Sequence, residues 1–201
     1  MAFLKKNQHT EKTEGNGSVL EYLHDVVYIL ALILVVFTFC MRVVIVSGSS
    51  MFNTLVDGDY LLLINRPLCG ELEQGDIVVA SMERFKDGEP IVKRVIATEG
   101  QTVDIDFRAG IVYVDGVALE EDYIYTPTNV SEGVAFPLTV AEGCVFAMGD
   151  NRNRSRDSRY PDIGMIDERE ILGKAVFLLM PGTGDDDNRA PRDFSRIGVL
   201  N

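Results

Sequence analysis

The sequence predicts a mainly β protein: one apolar helix near the N-terminus, then an antiparallel domain of short strands with barrel or sandwich character. Three observations predict it. Val26–Met41 reads VVYILALILVVFTFCM without a single charge. After residue 46 the apolar residues fall into short, β-branched runs bounded by turn residues, with no long helical period. Between two such runs stands Asp115-Gly116, a pair suited to the type I′ hairpin turn, whose two central positions both take positive φ.

The elements follow in order. Residues 1–25 read as a polar cytoplasmic tail, with Lys5, Lys6 and Lys12 favouring an N-terminus on the inner side of a membrane. Residues 26–46 read as a transmembrane helix. After Arg42 the apolar run continues to Val46, and a helix from Val26 to Val46 would reach about 31 Å, the thickness of a bilayer's hydrocarbon core. Arg42 can extend its charge toward headgroups along its aliphatic stem. The run is longer than the apolar stretch of a cleaved signal peptide, and no small-x-small site precedes the next segment.

Residues 47–181 carry the strand-like runs: Tyr60–Ile64, Ile77–Met82, Ile91–Thr98, Thr102–Asp106, Ile111–Val114, Val117–Leu119, Cys144–Met148 and Ile171–Met180. Residues 120–140, with Pro127 and Pro137, read as a long excursion, and residues 182–201 as a polar, mobile tail.

Charge and rare residues restrict the chemistry. Within residues 1–46, Lys5, Lys6, Lys12 and Arg42 balance Glu11, Glu14, Glu21 and Asp25, so the net charge of −12 falls on the rest. That acidity argues against a nucleic-acid partner. Cys69 and Cys144 could pair, or stay as two small buried thiols; the third cysteine, Cys40, lies in the apolar run. Both histidines, His9 and His24, precede that run. Any chemistry after it therefore proceeds without a Ser–His–Asp triad or a His-ligated zinc, and its general base is a carboxylate or a shifted lysine.

Three segments carry candidate chemistry. Ser47-Gly48-Ser49-Ser50-Met51-Phe52-Asn53-Thr54-Leu55 is a small-residue cluster that turns tightly and exposes a hydroxyl, although such clusters are commonly plain loops. In Ile91-Val92-Lys93-Arg94-Val95-Ile96-Ala97 two charges interrupt an apolar strand. Strand neighbours point to opposite faces, so one of Lys93 and Arg94 faces the more buried side unless both sit on a solvated edge. A buried lysine loses its charge more readily and can take a proton from serine. The third segment runs from Gly149 through Asp150, Asn151, Arg152, Asn153, Arg154, Ser155, Arg156, Asp157 and Ser158 to Arg159. Its alternating oxygens suggest a calcium loop, but Arg156 stands where such a loop needs glycine, and four arginines crowd it.

Together these segments resemble the bacterial type I signal peptidases, which follow a membrane span with G-x-S-M-x-P-T-L, then K-R-V, then G-D-N-x-x-x-S-x-D-S-R. Gly75-Asp76-Ile77-Val78 and Gly173-Lys174-Ala175 match weaker segments of that family. The resemblance implies a serine endopeptidase that cuts signal peptides from exported preproteins after small-x-small segments, with no metal or cofactor. Its partners would be signal peptides and the lipid bilayer, with the protease domain on the extracytoplasmic side. It implies Ser50 as nucleophile in the register set by Met51, Lys93 as general base, Ser155 as the hydroxyl that orients the lysine, and Asp150, Asp157 and Arg159 as braces. Two positions depart from the pattern. Asn53 replaces the family's proline, and Gly48 stands where some members carry a serine that supplements the oxyanion hole. Two rivals remain. A repressor-type Ser–Lys autoprotease shares the chemistry but has no membrane span; an anchored scaffold would keep the motifs without the activity.

Overall fold

The computed structural model describes residues 16–185 and 189–200. Lys5, Lys6, Lys12 and His9 lie outside the described residues. The chain forms two compact units, one ending at Phe39 and one spanning Cys40–Asn201.

The first unit is dominated by a helix, α1 (Asn16–Cys40). Its stretch Val19–Cys40 has mean hydropathy 2.3, and its apolar window contains no buried residue. These 22 residues reach about 33 Å at the helical rise, which is long enough for a hydrocarbon core. The helix starts ten residues before the expected Val26 and ends six before Val46. Met41–Ile45 instead form a strand, β1. The run Val43-Val44-Ile45 is β-branched, which favours the extended chain, and it finds a partner in β2 (Tyr60–Asn65), with Met41 opposite Ile64 and Ile45 opposite Tyr60.

The second unit is antiparallel throughout. The remaining strands are β3 (Ile77–Ala80), β4 (Ile91–Ala97), β5 (Thr102–Asp106), β6 (Ile111–Val114), β7 (Val117–Ala118), β8 (Leu138–Thr139), β9 (Cys144–Met148), β10 (Ile166–Asp167), β11 (Ile171–Met180) and β12 (Gly198–Val199). The larger sheet runs in the order β1-β2-β11-β3-β4-β9-β10, with β12 added on β11. A smaller sheet, β7-β6-β5-β8, extends from one end of β4. Its hairpin turn has the expected geometry, with φ of 52° at Asp115 and 79° at Gly116.

Strand alternation explains the core. On β2, Leu61 and Leu63 are fully buried and join Met51, Leu55, Ile77, Val79 and Ala175 in one cluster. Val78, Ala80, Val95, Val145, Ala147 and Ile166 build a second. A third lies between the two sheets around Ile96, Val103, Val112 and Phe146. Both faces of β4 are therefore covered, and Lys93 and Arg94 are each about as buried as the apolar residues beside them, at 3% and 2% exposure. The sequence reading put one of the two on the more buried side; with this second layer both are buried.

The segment after Pro181 is not a free tail. Gly182 is buried, Ala190 N–H donates to the Thr183 carbonyl, and β12 pairs with Phe177 and Leu178 of β11. Unpaired backbone groups on β11 give it somewhere to dock. The three cysteines are free thiols, so Cys69 and Cys144 do not pair.

Candidate active site

Three segments meet at one place because of the strand order. Ser50 lies in the loop joining β1 to β2, Lys93 on β4, and Gly149–Arg159 leaves the end of β9, the neighbour of β4. In the loop, Phe52 N–H donates to the Ser49 carbonyl and Leu55 N–H to the Met51 carbonyl. Met51 and Leu55 turn inward, with Met51 only 1% exposed, which leaves Ser50 half-buried on the opposite side. Apolar anchoring of Met51 thus sets which serine meets the lysine.

Lys93 Nζ donates to Ser50 Oγ at 2.9 Å and to the Val92 carbonyl at 2.7 Å. Burial pushes the Lys93 ammonium down from 10.5 to about 8. The negative charges of Asp157 and Asp150 oppose the fall, while Lys86 and Arg159 add to it. Near neutral pH roughly a tenth of the molecules then carry a neutral amine in contact with the serine. A neutral amine accepts the hydroxyl proton rather than donating to the oxygen. The Ser50 N–H donates to no group among the described residues, so it is free to meet a developing oxyanion.

The loop after β9 holds the nucleophile's backbone. Asn151 N–H donates to the Ser50 carbonyl at 3.0 Å, and Asn151 Nδ2 donates to the Ser49 carbonyl at 3.0 Å. Gly149 permits this approach: a Cβ there would lie 2.4 Å from Ser50 O and 2.2 Å from Ser155 Oγ. Asp157, fully buried, accepts Gly149 N–H at 3.0 Å and two bonds from the Arg159 guanidinium at 2.9 Å. Arg159 also donates to the Arg152 and Val130 carbonyls, which straps the excursion of residues 120–137 onto the loop. Asp150 accepts from Arg94 Nη2 at 2.8 Å and from Thr54 Oγ1 at 2.5 Å, linking β4 to the nucleophile loop.

Each residue singled out from the sequence is in this cluster, but the contacts differ in one respect. Ser155 Oγ is buried against Gly149 and has no hydrogen-bond partner, so it makes no hydrogen bond to Lys93. Sequence reasoning passed over Thr54, Asn151 and Tyr123. Tyr123 lies with its ring 4.1 Å from the Arg94 guanidinium and its hydroxyl on Glu121, which also pairs with buried Arg152. Thr54 and Asn151 each had a signal, their places in the Ser50–Leu55 and Gly149-Asp150-Asn151 runs. Tyr123 comes from the excursion and has no pattern of its own.

A groove of about 360 Å³ opens beside Ser50. Val44–Ser49 form one wall, and Pro90, Ile91 and Val92 line the other. No group of three or more His, Cys, Asp or Glu side chains among the described residues could hold a metal ion.

Residues 19–180 match the family described as signal peptidase, peptidase S26. Signal peptidase I T of Bacillus subtilis is 35% identical over 188 residues, covering 88% of this chain and 94% of that protein. A signal peptidase I of Bacillus licheniformis is 31% identical, covering 85% of this chain and 94% of its own. A probable signal peptidase I-1 of Synechocystis is 36% identical, covering 69% and 70%. A β-sheet hydrolase with a serine in its groove thus has a family, and the chain belongs to the bacterial type I signal peptidases of peptidase family S26. It is a serine endopeptidase that removes signal peptides.

Proposed function

We propose that this enzyme is anchored in the membrane by α1 and cuts exported preproteins after small-x-small segments with a Ser50–Lys93 dyad. The observation that carries the reading is the 2.9 Å contact between Lys93 Nζ and Ser50 Oγ in a site that lowers the lysine's pKa to about 8.

The edge of β1 supports the binding mode. Among the described residues β1 pairs with β2 on one side only, and its Val44 and Ile45 line the groove. An extended substrate segment adds to that edge, with alternate side chains directed into the groove. Ser50 Oγ attacks the scissile carbonyl as its proton passes to Lys93 Nζ. The Ser50 N–H steadies the oxyanion. Lys93 returns the proton to the leaving amine, and an ester links Ser50 to the signal peptide. Lys93 then takes a proton from water, whose oxygen attacks the ester; as the ester bond breaks, Lys93 passes that proton to Ser50 Oγ and both groups return to their starting state. Asp157 and Arg159 hold the loop that fixes Ser50, Asp150 joins that loop to β4, and Ser155 turns its hydroxyl to the ammonium once substrate is bound. α1 holds the enzyme where substrates are tethered by their own apolar segments, which raises their effective concentration. The N-terminus lies inside and the sheet unit on the extracytoplasmic side.

The test is cleavage of a preprotein with Ala at the first and third positions before the cut, by enzyme in vesicles. Cleavage that stops in Ser50→Ala and in Lys93→Arg supports the reading, and an uncut preprotein with folded parent enzyme overturns it. Protease added to right-side-out vesicles digests the domain after Val46; a protected domain reverses the orientation.

A further inference from the structure

The C-terminal segment makes a second set of contacts to the nucleophile loop. Asp59, fully buried at the base of that loop, accepts from Val56 N–H at 2.8 Å, from Gly182 N–H at 2.7 Å, and from Arg196 Nη1 and Nη2 at 3.1 and 2.7 Å. Arg196 Nη2 also donates to the Thr54 carbonyl at 3.1 Å. Thr54 is the residue whose hydroxyl bonds Asp150. One guanidinium therefore joins two points of the loop that carries Ser50.

Two further contacts draw the same segment against the loop. Gly184 N–H donates to the Asp57 carbonyl at 3.1 Å, and Asp57 Oδ1 accepts from Gly48 N–H, two residues before the nucleophile, at 2.7 Å. At Gly182 a Cβ would lie 2.1 Å from the Asp57 carbonyl oxygen, so only glycine lets the strands approach this closely. β12, just beyond Arg196, ties the segment back to β11. All of this lies beyond residue 180, where the match to the family ends.

We propose that Arg196 is a positioning residue for peptide-bond cleavage: it fixes the loop from Thr54 to Asp59 and so holds Ser50 at bonding distance from Lys93. The inference rests on the Ser50–Lys93 reading. A buried carboxylate needs its cation, and the same cation sets the path of the loop. Movement of a nucleophile by about an ångström is enough to cost about a hundredfold in rate, with substrate binding less affected. The groove lining at Pro90–Val92 belongs to β4 and the segment before it, whereas the hydrogen bonds of Arg196 go to Asp59 and Thr54.

The experiment compares the parent with Arg196→Ala and Arg196→Lys, each checked for folding by circular dichroism and melting. For folded Arg196→Ala, kcat falls by about tenfold or more while KM stays within about twofold. Arg196→Lys, which keeps a charge for Asp59 but loses the two-pronged grip, gives an intermediate kcat. Should Arg196→Ala fail to fold, the lysine variant decides. A parental kcat in the folded alanine variant, or in the lysine variant where that alone folds, overturns the proposal. A second readout is independent of peptidase activity. In a chain with Cys40, Cys69 and Cys144 changed to serine, Ser50→Cys is alkylated by iodoacetamide across pH. The profile should move toward that of a free thiol when Arg196→Ala is added, or Arg196→Lys if the alanine variant does not fold. An unmoved profile rejects the positioning role, whereas a moved profile with an inactive parent rejects only the dyad reading.

Discussion

Ser50 Oγ lies 2.9 Å from Lys93 Nζ, while the next side chain in sequence, Met51, is 1% exposed in the core. The loop cannot rotate another serine into place without pulling that methionine out, which would expose a side chain whose burial stabilises by about 1.5–3 kcal/mol. Ser50→Ala should therefore abolish cleavage of a preprotein. Ser49→Ala and Ser47→Ala should keep most of it, because neither hydroxyl bonds the lysine. An active Ser50→Ala enzyme beside an inactive, folded Ser49→Ala would move the nucleophile.

The lysine gives two pH signatures. kcat/KM should rise with pH along an acid limb near 8, following the neutral amine. Lys93→Arg should be inactive at every pH because guanidinium stays protonated. For stability the sign is opposite to that of a salt bridge. Between about 8 and 10.5 the unfolded chain binds a proton at Lys93 that the folded chain does not, so stability rises with pH through this window. Lys93→Met should then stabilise the fold at pH 7 by up to about 3 kcal/mol and by little at pH 10.5. Urea unfolding at the two pH values measures this; equal gains at both would show that the amine is not held in a desolvated site.

Ser155 should show a trade between stability and rate. Its hydroxyl is buried without a partner, and a polar group in that state costs about 1–3 kcal/mol. Ser155→Ala removes the cost, so melting should shift upward while kcat falls, if the hydroxyl meets the ammonium only with substrate bound. A variant with parental kcat would leave Ser155 with no part in the reaction.

The ion pairs divide by burial. Arg94 with Asp150 is almost wholly excluded from water, whereas the side chains of Arg66 and Glu168 keep 25% and 30% of their exposure. Arg94→Met leaves a buried carboxylate without its cation and takes the ring contact from Tyr123, so it should cost about 3–5 kcal/mol. Glu168→Gln should cost less than about 1 kcal/mol. Denaturant midpoints of the two variants give the comparison, and a similar loss in both would argue against the burial of Arg94.

The β class, eight of the twelve strands among the described residues and the three site segments were legible in the sequence. The reason is that each depends on local pattern: β-branched runs, the Asp115-Gly116 turn, and charges inside apolar strands. What could not be read depended on partners distant in sequence. Whether Val43–Ile45 continue a helix or start a strand is decided by Tyr60–Leu62, fifteen to nineteen residues on. The burial of Arg94 depends on the layer formed by the excursion and its Tyr123. Order after Pro181 depends on a free edge of β11 and on Asp59, neither of which is visible near the polar C-terminus. Orientation of Ser155 within its motif gave no sign that its hydroxyl would be left without a partner.

The strand order has a consequence for how the chain is made. β11, residues 171–180, lies between β2 and β3, which are formed from residues 60–80. A ribosome that has released the first 170 residues has delivered nearly all of the site, but β2 and β3 still lack their common neighbour. Their facing edges stay open until the last fifth of the chain emerges, and Arg196 arrives later still. Until then the nascent polypeptide carries exposed pairing edges, the kind that aggregate unless chaperoned. Sheet closure by β11 and the arrival of Arg196 both follow the site residues in chain order, so a copy made only as far as residue 170 holds every site segment without the strand that joins β2 to β3.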